Sequence, residues 1–159
     1  MPKKSSFKSH IQRELVKLYD VSCKLKETYN ECQYYMTPDE LKMFYEESFF
    51  SKYNFCNDIR LYLEKNHNVS FFKSRLINSF YVTKITLFLF IEKDGCGYLF
   101  ENALALEEQN NKLLLKLLEE HLPDELRHKL LKHSLGQEKR IESLKNIIAR
   151  HTSNVLHNN

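Results

Sequence analysis

The sequence predicts an all-α fold in which two antiparallel helical hairpins, joined by a crossover helix, make a four-helix bundle. Three observations carry this. Apolar residues recur at alternating steps of three and four along most of the chain. Glycine and proline number only three each in 159 residues, too few for the turns of a sandwich or barrel. Two short punctuations, Thr37-Pro38-Asp39-Glu40 and Leu122-Pro123-Asp124-Glu125, read as tight helix-to-helix connections.

The first helix is expected over about 6–36, with Ser5 or Ser6 as its cap and a stripe through Phe7, Ile11, Leu15, Leu18, Ser22, Leu25, Tyr29, Cys32 and Met36. Thr37 is the expected cap of the second helix, about 38–66, with Pro38 at its first position and Glu40 closing a capping box. Leu41, Phe44, Ser48, Phe55, Ile59 and Tyr62 form its main stripe, and Met43, Phe50 and Tyr53 a second. An element apolar on two sides needs two sets of neighbours.

Residues 66–68 break the pattern, with Asn68 or Ser70 as the next cap. A crossover element is expected over about 70–91, but within it 81–91 is rich in β-branched and aromatic residues, and Lys93-Asp94-Gly95-Cys96-Gly97 could serve as a hairpin turn, giving a strand pair over 81–100. Helix is nevertheless expected, because an isolated hairpin is marginal and no other strand is available to extend it. Further helices are expected over about 98–121 and 123–151, followed by a polar tail, 152–159. The whole, 1–159, reads as a single helical-bundle domain.

The formal net charge of +3 comes from interspersed acidic and basic residues, so no nucleic-acid-binding face is expected. The most apolar run, Ile85 to Ile91, is too short to span a bilayer, and no membrane partner is expected. Four cysteines at 23, 32, 56 and 96 contain no CxxC pair and read as buried free thiols. The start of the chain lacks the apolar core of a secretory signal. Together these lead to the expectation of a cytoplasmic protein.

Three stretches carry a resemblance. They are Cys23-Lys24 through the Leu41, Phe44 and Phe55 pattern, Glu107-Glu108 ahead of Leu122-Pro123-Asp124-Glu125-Leu126-Arg127, and Glu138-Lys139-Arg140-Ile141-Glu142-Ser143-Leu144-Lys145. In these the chain resembles an uncharacterised bacterial four-helix-bundle family with a ferritin-like fold. The resemblance implies that fold more than any activity. The chain departs from the family in having no Trp and in carrying Glu138 where the family tends to have His.

A ferritin-like bundle raises the possibility of a carboxylate-bridged metal pair, which needs inward Glu and Glu-x-x-His sets. Glu125-x-x-His128 is the one literal match on the expected helices, at the bundle's end, and Glu27 and Glu108 are rotated off their seams. A second candidate is a polar layer. Counting outward from the Leu122-Pro123 turn, Asn110 falls level with Gln137, and His133 lies one turn nearer the loop. Asn110 interrupts a leucine-rich stripe, and a buried amide needs a partner. It reads first as a device fixing helix register. The functional alternative is a metal or ligand site formed by Glu107, His133 and Glu138. A third candidate is the aromatic surplus around Phe49-Phe50, Tyr53, Phe71-Phe72 and Phe80-Tyr81, which serves either to pack the crossover on the second helix or to join copies in a homo-oligomer.

No nucleophile arrangement or phosphate loop is visible, so the expectation is a non-enzymatic binding or assembly protein without a cofactor. The alternative is a ferritin-like di-iron protein handling iron or oxidative stress.

Overall fold

The computed structural model describes residues 3–35, 39–92 and 94–157, which form six helices with no strand among them. They are α1 (Lys3–Tyr35), α2 (Asp39–His67), α3 (Phe72–Ile91), α4 (Gly95–Leu118), α5 (Asp124–Ser134) and α6 (Gln137–His157). The all-α expectation holds, and the ambiguous stretch around residues 81–91 is helix.

Cross-contacts set the directions. Cys23 meets Cys56 and Tyr29 meets Tyr45, so α2 runs antiparallel to α1. Ser22 meets Asn110 and Glu14 meets Lys116, so α4 also opposes α1. In contrast, α3 runs alongside α1 in the same sense, through Phe71 on Tyr19 and Tyr81 on Thr28. The return along α4 is made by α5 and α6 in succession, from Arg127 at the Leu118 carbonyl to His151 at Asp94. A hairpin, a crossover and a second hairpin result, with α3 lying against α1 and α4.

Apolar burial holds the bundle in two clusters. One joins Leu15, Leu18, Ile59, Leu63, Leu114 and Leu130. The other joins Leu25, Tyr45, Ile85, Leu99, Ala103 and Leu144. Between them lies a layer of buried polar side chains from every helix except α3, and this layer is the candidate site.

Several local expectations are corrected. α1 begins at Lys3, so Ser5 and Ser6 lie inside it instead of capping it. Asn68 does end α2, with a left-handed φ of 50°, but α3 starts after Phe71 without a side-chain cap. α4 begins at Gly95, earlier than the expected 98, because the Asp94 carboxylate caps it by accepting the Gly97 amide at 3.0 Å. The last helix is interrupted at Leu135-Gly136, where glycine weakens helix propensity. The last helix, expected to end near 151, continues through the polar tail to His157. The crossover packs on α1 and α4 and not chiefly on α2. Met36 and the proposed Thr37-Pro38 turn lie outside the described residues, as do Lys93 and the last two residues.

Candidate functional site

The polar layer is organised around Glu107, whose side chain is completely buried on α4. Four donors from three other helices converge on its two oxygens. Oε1 accepts from the Tyr29 hydroxyl at 2.6 Å and from Arg140 Nε at 3.2 Å. Oε2 accepts from Lys52 Nζ at 2.9 Å and from Gln137 Nε2 at 2.9 Å. A buried carboxylate is tolerable only when paired and hydrogen-bonded in this way.

Lys52 is the second centre and is also wholly buried. Its ammonium has three hydrogens and three acceptors: Glu107, the Asn110 amide oxygen at 3.3 Å and His133 Nε2 at 3.3 Å. An ammonium can only donate, so His133 Nε2 is the acceptor and its proton sits on Nδ1. The His133 ring stacks on Phe55 with centroids 3.6 Å apart. Asn110 accepts from Gln137 at 2.8 Å and donates to Ser22 at 2.7 Å. The expected pairing of Asn110 with Gln137 is therefore present, within a larger network than the sequence suggested.

The electrostatics follow from burial and neighbouring charge. Burial alone would raise the Glu107 pKa, but Lys52 and Arg140, with the Tyr29 hydrogen bond, hold it below the ordinary carboxylate value. Burial lowers Lys52 to about 8 against the pull of Glu107. Burial, then the Lys52 and Arg140 charges, push His133 well below the usual histidine value, so the ring is neutral at neutral pH.

Of the three residues considered as metal ligands, the structure brings Glu107 and His133 to the same point, but that point is held by the Lys52 ammonium. Glu138 is exposed and lines an outer groove with Glu108, Lys112 and Lys145. Glu125 and His128 are exposed, Glu27 pairs with Lys26, and Glu108 pairs with Lys145 at the surface. Among the described residues, no group of three or more His, Cys, Asp or Glu side chains could hold a metal ion. The donor set, with two cations facing one carboxylate, does not fit a di-iron centre.

Sequence reasoning missed Lys52, Tyr29 and Arg140 as members of the layer. A signal for Lys52 was present, because the second-helix stripe skips from Ser48 to Phe55 and Lys52 occupies the missing step. Arg140 likewise lies three residues after inward Gln137.

A cleft of about 310 Å³ beside the layer is lined by Ser51, Asn54, Asp58, Lys132, His133 and Arg140, among others. Gly136 also lines it, and a Cβ there would stand 2.9 Å from Arg140 Nη1, so glycine lets the guanidinium pass. The layer clasps α1, α2, α4, α5 and α6 through charge-assisted hydrogen bonds, with Gln137 Oε1 and Arg140 Nη2 its two buried polar atoms left without a partner. Comparison with protein families, curated proteins and solved structures gives no match.

Proposed function

We propose that this chain is a non-enzymatic assembly protein, a cytoplasmic helical bundle of ferritin-like topology that pairs with a second copy of itself through α3. The observation that carries this reading is the outward face of α3. Phe72, Leu76, Phe80, Leu87, Phe90 and Ile91 are all exposed, with Phe80 at 74%, Phe90 at 85% and Ile91 at 77%. On an α-helix they fall within an arc of about 100°. Contiguous apolar patches of this kind mark interfaces.

Charge and area favour a second copy as the occupant. Lys73, Arg75 and Lys84 are the only charged residues of α3. Parallel pairing would set Lys73 and Arg75 against their own copies. Antiparallel pairing about a two-fold axis puts Phe72 opposite Ile91, Leu76 opposite Leu87 and Phe80 opposite Thr83. Lys73 and Arg75 then lie opposite Phe90 and Phe88, and Lys84 opposite Ser79, so no two cations face each other. The six side chains leave on the order of 700 Å² of apolar surface per copy. Covering both copies removes roughly 1,400 Å² from water, above the ~1,000 Å² that a stable interface needs. The second outward stripe, Met43, Phe50 and Tyr53 on α2, is interleaved with exposed Glu46 and Glu47 and is less suited to pairing with itself. Among the described residues no helix is long and apolar enough to cross a membrane, so the α3 face is not explained by spanning.

Sedimentation equilibrium tests the reading. The wild-type protein is expected at twice the chain mass of 19.1 kDa, and Phe80→Glu at the single-chain mass with unchanged helix content. A wild-type monomer that instead cosediments with anionic vesicles would replace the self-assembly reading with a membrane-surface one.

A further inference from the structure

We propose that Cys23 and Cys56 form a redox modification site, a buried dithiol that a small hydroperoxide converts to a disulfide clasp between α1 and α2. The two sulfur atoms lie 3.6 Å apart although 33 residues separate them in the chain. Both are free thiols. A disulfide requires them to close to about 2.05 Å, a movement that side-chain rotation and small helix shifts can supply.

The two thiols have different chemistry. The Cys56 contact and the Tyr19 hydroxyl stabilise the Cys23 thiolate and bring its pKa below the ordinary thiol value, and the Lys26 charge assists. The same contact, with burial, raises Cys56 well above that value. Cys23 is therefore the nucleophile and Cys56 the resolving thiol. Cys23 is only 8% exposed and Cys56 6%, which favours a small oxidant over a bulky disulfide.

The chemistry balances. The Cys23 thiolate attacks one peroxide oxygen, the O–O bond breaks, and the leaving oxygen takes a proton to become water or an alcohol. Cys23 is left as a sulfenic acid. The Cys56 sulfur then attacks Cys23, and the departing hydroxide takes the Cys56 proton as water. Two thiols lose two electrons in total and the peroxide gains them. A thiol reductant reverses the clasp.

The test treats the intact folded chain with hydrogen peroxide, then unfolds it, alkylates remaining thiols and maps peptides by mass. The expected product lacks two hydrogens, has two alkylatable thiols in place of four, and yields one linked peptide pair joining Cys23 to Cys56. Cys32→Ser should leave that link intact, and Cys56→Ser should let Cys23 proceed to the sulfinic acid. A link through Cys32 or Cys96, or four thiols still alkylatable after exposure of the folded protein, would overturn the proposal. The wild-type map needs no variant to fold.

Discussion

Lys52 Nζ lies 2.9 Å from Glu107 Oε2, and both side chains are completely buried. The pair is not isolated. Arg140, Tyr29 and Gln137 also donate to Glu107, so the carboxylate keeps three partners if Lys52 is removed, whereas Lys52 and Arg140 both lose their carboxylate if Glu107 is removed.

That asymmetry predicts unequal losses for two substitutions. Lys52→Met leaves Glu107 three donors but leaves buried His133 Nε2 without one, and should cost about 1–3 kcal/mol. Glu107→Leu leaves buried Lys52 and part-buried Arg140 without their carboxylate and should cost about 3–5 kcal/mol. Urea denaturation midpoints measure both, and the reverse ranking would show that Glu107 is not the centre of the layer.

Stability should respond to pH through His133 and Lys52. His133 titrates far below 6.5 in the fold, so the unfolded chain takes its proton first as pH falls. Its contribution is full above about 6.5 and is lost progressively below it. Lys52 titrates at about 8 in the fold and 10.5 when free, so the unfolded chain holds more protons between those values. Stability should therefore rise as pH passes upward through about 8. Denaturation across pH should show His133→Gln flattening the acid side and Lys52→Met removing the alkaline rise.

The start of α4 offers a local test. Asp94 caps the Gly97 amide and also meets His151 of α6 at 2.9 Å. A Cβ at Gly97 would collide with the Asp94 carboxylate. Gly97→Ala and Asp94→Ala should each cost about 1 kcal/mol, and the double variant little more than one of them, since both remove the same cap. Additive losses would mean that the two residues act separately.

Hairpins and stripes were legible in the sequence because apolar period and capping chemistry are local. Asn110 and Gln137 could be matched by counting from one turn. Lys52 was not legible as a core residue, because its charge normally marks a solvated face and its partner lies 55 residues away. Glu107 and Glu138 each follow an inward residue, Leu106 and Gln137, by one step, yet one is buried and the other exposed. The interruption at Leu135-Gly136 was not legible, because the inward steps Leu126, Leu130, His133, Gln137 and Leu144 run through it in an unbroken helical period. The outward face of α3 is visible in the sequence as an aromatic surplus, but pattern alone does not say that the helix packs on α1 and α4 and not on α2.

The most direct measurement of self-assembly is cross-linking between copies through engineered cysteines on α3. Antiparallel pairing centres near residues 81 and 82, which brings the two Thr83 positions together and sets the two Lys73 positions about 25 Å apart along the axis. With a short bifunctional thiol reagent and the wild-type protein as background, Thr83→Cys should give a covalent dimer and Lys73→Cys should not. No dimer from Thr83→Cys, or equal yields from the two variants, would contradict the account.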